Sequence, residues 1–83
     1  MNSEEKLREI IGNWKEEAGI KPYDETSVIH ICGDILYFIT KRPGPLIGVY
    51  GSRSAKYKEI LKENGFPSDV RFIEAAYGNL RIF

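Results

Sequence analysis

The sequence predicts an α+β fold, a two-layer α/β sandwich in which helices cover one face of a mixed three-stranded sheet. Apolar residues recur at helical spacing in two segments, and three other segments are rich in β-branched and aromatic side chains. Two of these strands flank a helix, and a strand–helix–strand crossover makes its strands parallel. The 83 residues allow one small domain, which we take as 1–83.

The first predicted helix covers about residues 4–18. Its apolar stripe consists of Leu7, Ile10, Ile11, Trp14 and Ala18. Gly19 ends the pattern, as glycine commonly does after the last helical turn. Because Trp14 belongs to this stripe, we expect it to fill the core rather than to stack on a ligand.

Two predicted strands, 26–32 and 35–41, are joined at Gly33-Asp34. Glycine at the first position of a two-residue loop suits a type II′ hairpin. The second strand is apolar on both faces, as a central strand is. A third strand is predicted at 70–76, and the closing residues "YGNLRIF" are expected to turn back as a short fourth strand.

The second long helix is predicted at 52–64, with Ser52 as the capping residue at its start. Its buried side is expected to include Tyr57, Ile60 and Leu61. Asn64-Gly65 is typical of a helix end, and the Phe66 that follows can make the hydrophobic contact that accompanies such an end.

The segment between the second strand and this helix, "RPGPLIGVYGSR", holds three glycines and two prolines. Its spacing does not match a phosphate-binding P-loop, because no Lys precedes Ser52, nor a dinucleotide-binding GxGxxG. What remains is Gly48-x-x-Gly51 ahead of a helix N-terminus. Two glycines in this spacing let a tight loop expose its amides, so a nucleic-acid backbone can approach closely and the helix dipole favours its phosphates.

The stretch "ILYFITKRPGPLIGVYGSRSAKYKEILKENGFPSDVRFIEAA" resembles KH domains of the prokaryotic, type II arrangement, and particularly the KH domain of a small-subunit ribosomal protein. With the preceding helix and strand it matches the αββααβ order of that family over nearly the whole chain. The resemblance implies a short helix with Leu46 and Ile47, a signature loop at Gly48–Gly51, and a groove for single-stranded RNA or DNA. The pair inside the loop, Val49-Tyr50, departs from the polar and often basic pair usual in the family.

The distribution of charge indicates that the same region is the binding site. Formal net charge is zero, but 41–62 carries six basic and one acidic side chain, whereas 1–25 has a net charge of −3. We therefore expect a single-stranded nucleic acid as the partner, RNA first and single-stranded DNA as the alternative. The predicted binding residues are Arg42, Leu46, Ile47, Gly48, Val49, Tyr50, Gly51, Ser52, Arg53 and Lys56.

An alternative function stays open. A KH-like fold can serve protein contact, with Val49, Tyr50 and the apolar outer positions of the sheet as the adhesive surface. Apolar side chains on both faces of the second strand need cover, which the C-terminal tail supplies in a monomer and a second chain in a homodimer. We expect the monomer with its tail folded back.

Other classes of function lack a motif. Zinc would need two ligands beyond His30 and Cys32, which are the only His and the only Cys, and both are expected to fill the sheet. A single Cys also excludes an internal disulfide and leaves a Cys–His nucleophile pair unsupported. No catalytic residue, metal or cofactor is expected, so the chain is not expected to be an enzyme. No apolar run is long enough for a membrane span and no signal peptide is evident, so we expect a cytoplasmic protein.

Overall fold

The fold was analysed in a computed structural model that describes residues 3–21, 26–76 and 79–82, with residue 76 and 79–82 described by their backbone. Within these ranges, two long helices, one short helix and four strands follow one another. They are α1 (Ser3–Glu17), β1 (Val28–Cys32), β2 (Ile35–Thr40), α2 (Pro43–Ile47), α3 (Ser52–Glu63), β3 (Asp69–Ala76) and β4 (Asn79–Ile82). A 3₁₀ turn, Val49–Gly51, lies between α2 and α3. The fold is therefore α+β, as the sequence predicts.

The four strands form one mixed sheet in the order β1-β2-β3-β4. β2 pairs with β1 in antiparallel and with β3 in parallel orientation, so the predicted parallel pairing across the second long helix is confirmed. β4 pairs antiparallel with β3 and occupies an edge, where the C-terminal residues were expected to turn back. Gly33, at the start of the β1–β2 loop, has φ +60° and Asp34 does not have positive φ, which agrees with the type II′ hairpin.

The core lies between one face of the sheet and the helices. Leu36 and Phe38 of β2 are fully buried, and the register sets them beside the buried Val70 and Phe72 of β3. Residues on the opposite face of β2 are half-buried, because no helix covers that face. Further core side chains come from the helices: Ile10, Ile11, Trp14, Leu46, Tyr57 and Leu61.

Trp14 lies at the centre of this core, as the helical spacing predicts. It is fully buried, and its ring stacks on that of Tyr57 at a centroid distance of 5.1 Å. The rings of Phe38 and Phe72 meet it edge-on at 5.2 and 5.8 Å. Its indole Nε1 donates a hydrogen bond of 2.8 Å to the carbonyl oxygen of Leu46, so the same side chain joins α1, α2, α3 and the sheet.

Both long helices end in a glycine at positive φ. After α3, Gly65 has φ +80°, its N–H donates to the carbonyl of Lys62, and the N–H of Phe66 donates to that of Leu61. This is the Schellman pattern, with Phe66 packed against the core, so the predicted helix end is confirmed. Gly19 ends α1 in the same way, at φ +79°.

The expectation that His30 and Cys32 fill the sheet is wrong, because both side chains are exposed. They lie opposite Tyr37 and Ile35 on the face of the sheet that carries no helix, and β1 is an edge strand. Within the residues that the structure describes, no three His, Cys, Asp or Glu side chains come together to hold a metal ion. No helix in those ranges has the length and apolar character to cross a membrane.

Candidate functional site

The segment that leaves β2 is anchored before it turns into α2. The hydroxyls of Ser27 and Thr40 are both buried and lie 2.8 Å apart, and the N–H of Arg42 donates to the Thr40 oxygen at 3.0 Å. Pro43 then begins α2, where a missing N–H costs nothing and a fixed φ favours the helix. The exposed side chain of Arg42 is thus held at the start of the glycine-rich segment.

α2 turns its two apolar residues in different directions. The Leu46 side chain is 0% exposed and lies in the core, so the prediction that it contributes to a binding surface is wrong. Its carbonyl accepts the hydrogen bond from Trp14, which fixes α2 against α1. Ile47 is half-buried and packs against the edge of the core, so part of its surface stays open next to the loop.

Residues Gly48–Gly51, the GxxG loop, turn the chain sharply between α2 and α3. Gly48 has φ +81° and ψ 178°, a region of backbone space that is essentially open to glycine alone. Gly51 has φ +74° and ψ 12°, the left-handed conformation. Tyr50 between them also has positive φ, at +54°. Three of the four residues in the loop therefore use conformations that L side chains disfavour.

Gly48 is also required by packing. A Cβ at this position would lie 2.7 Å from the Cβ of Arg53 and 2.9 Å from its backbone nitrogen. The first turn of α3 therefore rests directly on the Gly48 backbone. At Gly51 the nearest atom would be the Ser54 hydroxyl at 3.8 Å, so there the left-handed φ is the reason for glycine.

The start of α3 lacks the side-chain cap that the sequence predicts. Gly51 occupies the capping position and Ser52 is the first helical residue, so the capping role given to Ser52 is wrong. The reason is the left-handed Gly51, which moves the helix boundary one residue earlier than a serine cap would. The Ser54 hydroxyl donates to the Gly51 carbonyl at 3.0 Å.

The first turn of α3 also contains no acidic residue, although α1 begins with Glu4 and Glu5. Helix N-termini carry partial positive charge that an anion stabilises, and their first N–H groups have no acceptor inside the helix. In the loop, the N–H groups of Gly51 and Ser52 donate to the carbonyls of Gly48 and Val49. These two N–H groups are therefore used inside the loop, and what favours an anion at the start of α3 is the helix dipole and the absence of an acidic side chain there.

Val49 and Tyr50 point away from the protein, as expected. Val49 is 74% exposed and Tyr50 103%, the highest values among the large hydrophobic side chains described. The two residues thus project from the loop without support from the core.

The basic side chains around the loop differ in the hydrogen bonds that they already make within the protein. Arg53 lies beside Gly48, and one of its guanidinium nitrogens donates to the Pro45 carbonyl, which uses one of the five N–H donors of arginine. Lys56, one turn further along α3, donates to Glu17 of α1 at 2.7 Å. Arg53 is therefore the basic residue best placed at the loop, and Lys56 is held in an ion pair in this state.

Glu17 links this ion pair to the core. Its pKa is lowered by the hydrogen bonds from Lys56 and from Tyr57, and burial raises the pKa of Tyr57, helped by Glu17. The Lys56 ammonium also lies 5.2 Å from the centre of the Tyr57 ring. Sequence reasoning missed Glu17 because it lies 39 positions before Lys56, and only the packing of α1 on α3 brings them together.

No protein-family model matches the chain, and the searches of curated proteins and of solved structures found no significant match. The geometry of the GxxG loop and the charges around it are therefore the basis for inferring the function.

Proposed function

We propose that this protein is a type II KH-like module that binds single-stranded nucleic acid, RNA in preference to DNA, by its phosphate backbone. The observation that carries the proposal is the GxxG loop followed by the start of α3, which has no side-chain cap. Two glycines in the loop remove side chains from its flanks, and the helix start has no acidic residue of its own. Phosphate oxygens are the anions that nucleic acids present to such sites.

The surrounding charge supports the same ligand. The net charge of +5 over 41–62 concentrates basic residues around the loop in a chain whose total charge is zero. Arg42 and Arg53 lie at the two sides of the segment and supply phosphate contacts, while the open part of Ile47 offers apolar surface to a base. The element order α1-β1-β2-α2-α3-β3 supports the KH assignment, with β4 as an addition at the sheet edge. The proposal assigns no catalytic residue and no cofactor.

The second candidate is a KH-like fold used for protein contact. The exposed pair Val49-Tyr50 favours it, since both side chains are apolar or aromatic and neither provides a charge for phosphate. The outer face of the sheet adds further apolar surface, with Val28 44% exposed. This candidate gives no role to the basic residues of 41–62, which is why we rank it second.

The double variant Val49→Asp, Tyr50→Asp tests the proposed function. Both positions are exposed, so the variant should fold, and two carboxylates beside the start of α3 should repel phosphates. We expect affinity for a short single-stranded RNA to fall at least about tenfold, and the remaining binding to weaken further as salt rises. The measurement is fluorescence anisotropy at several salt concentrations, with folding checked by circular dichroism.

The matched control places the same two charges elsewhere. Ser3→Asp, Asn64→Asp adds carboxylates at exposed positions, one at the start of α1 and one at the end of α3 that lies opposite the loop. It should bind nearly as well as the wild type, because screening weakens distant charges. If the wild type binds no single-stranded RNA or DNA even at low salt, or if the loop variant binds as the wild type does, the proposal fails and the protein-contact candidate replaces it.

The ion pair between Lys56 and Glu17 makes a further prediction. Glu17→Gln removes the charge that holds Lys56, so this lysine becomes available for phosphate. We expect RNA affinity at low salt to rise about twofold to fivefold, and the dependence of log affinity on log salt to steepen by about one unit. Glu16→Gln is the control, since it removes an equal charge from the neighbouring exposed residue. Equal effects from both variants would show that only net charge matters and that Lys56 contacts no phosphate.

A further inference from the structure

Tyr50 differs from the other aromatic side chains that the structure describes. Its relative exposure is 103%, so its ring touches almost nothing in the chain. Those in the rest of the described ranges are buried or half-buried: Trp14, Tyr37, Phe38, Tyr57, Phe66 and Phe72. A tyrosine normally stabilises a fold by burying its large ring, and this one does not.

The backbone conformation of Tyr50 is also energetically unfavourable. Its φ of 54° and ψ of 29° lie in the left-handed region, and no other non-glycine residue among those described has positive φ. Glycine and asparagine adopt this conformation more readily than an aromatic residue does. Tyr50 therefore strains the loop and receives no packing in return. Such departures from local preference concentrate where a side chain acts on something outside the chain.

The position of the ring indicates what that contact is. Tyr50 lies between Gly48 and Gly51, which have no side chains to obstruct it, and immediately ahead of the basic first turn of α3. A strand whose phosphates bind at that turn carries its bases within reach of the loop. Because an unpaired base exposes a flat face, one aromatic ring can stack on it. A protein partner would need a broader apolar surface than Val49 and Tyr50 provide.

We propose that Tyr50 is a base-stacking platform, on whose ring one unpaired nucleobase of the bound strand stacks. This inference rests on the proposed function and adds to it: the GxxG loop holds the strand by a base as well as by its phosphates. Stacking depends little on base identity, so the contact strengthens binding without selecting a sequence.

The test compares Tyr50→Asn with Tyr50→Phe. Asparagine suits the left-handed backbone, so Tyr50→Asn should raise the melting temperature, by up to about 5 °C, while removing the ring. We expect its affinity for a short single-stranded RNA to fall between about 5-fold and about 150-fold. Tyr50→Phe keeps the ring and should bind within about twofold of the wild type. A gain in stability together with a loss of binding is not expected of a tyrosine with a structural role.

Two modified oligonucleotides make the assignment specific. An oligonucleotide with the same number of phosphates but without bases should bind wild type and Tyr50→Asn equally. One carrying 2-aminopurine should change its fluorescence when it binds the wild type, and less so with Tyr50→Asn. If Tyr50→Asn binds the ordinary strand as the wild type does, stacking is refuted while phosphate binding stands. If the wild type binds neither ordinary nor abasic strands, the proposed function itself fails.

Discussion

Replacing Trp14 with alanine should remove a large part of the stability of this domain. The side chain is fully buried, contacts three other aromatic rings and belongs to the only cluster that joins all three helices to the sheet within the described residues. Truncating a buried tryptophan costs about 3–5 kcal/mol. A domain of this size is stable by about 4–12 kcal/mol in total. We expect a fall in melting temperature of at least about 12 °C, measured by far-ultraviolet circular dichroism.

A second substitution distinguishes the contribution of the aromatic ring to stability from that of its hydrogen bond. Trp14→Phe keeps aromatic packing but removes the Nε1 donor, which leaves the buried carbonyl of Leu46 without its partner. That loss should cost about 1–3 kcal/mol, and it should loosen α2 and with it the GxxG loop. Val28→Ala, at an exposed position, is the control and should change stability by less than about 0.5 kcal/mol. A Trp14→Ala variant that melts within a few degrees of the wild type would contradict this account of the core.

The parts of the fold that the sequence predicts are those with a local physical cause. Helical spacing of apolar residues locates α1 and α3 to within one residue at each end. Gly33 and Gly65 mark the hairpin and the helix end because each has a φ that other residues avoid. The crossover rule then makes β2 and β3 parallel neighbours, and their register confirms it.

The incorrect predictions concern features that depend on tertiary packing or backbone conformation and not on a local pattern. Alternation separates the two faces of β1 but does not say which face the helices cover, so the sequence alone does not reveal that His30 and Cys32 are exposed. In a five-residue helix such as α2, apolar periodicity is too short to tell the core-facing Leu46 from the half-open Ile47. At the start of α3, Ser52 and Gly51 are adjacent and both suit a helix start, and only the left-handed φ of the glycine decides between them.

The candidate site was predictable in position but not in electrostatic detail. The glycine spacing locates the loop, since positive φ at two places favours residues without a Cβ. The ion pair of Lys56 with Glu17 depends on how α1 packs across α3, which no local pattern encodes. The sequence does not predict the strained backbone of Tyr50 either, because tyrosine has no preference for the conformation it adopts there.

The two glycines of the loop should differ sharply in their tolerance of substitution. At Gly48, a Cβ would meet Arg53 at 2.7 Å and the backbone has φ +81° with ψ 178°, so Gly48→Ala combines strain with a collision against the first turn of α3. We expect it to lower the free energy of unfolding by about 3–5 kcal/mol. Gly51→Asn meets an open site and a left-handed φ that asparagine accepts, so its cost should be about 1 kcal/mol or less.

Gly19 provides the control for both, because it has a similar positive φ of +79° but nothing within 4 Å of an added Cβ outside its chain neighbours. Gly19→Ala should therefore meet the backbone strain without the collision and lower the free energy of unfolding by about 1–2 kcal/mol. Urea titrations of the three variants measure the order directly. If Gly48→Ala is no more destabilising than Gly51→Asn, the first turn of α3 does not rest on Gly48, and the loop geometry on which phosphate binding depends is not the one described.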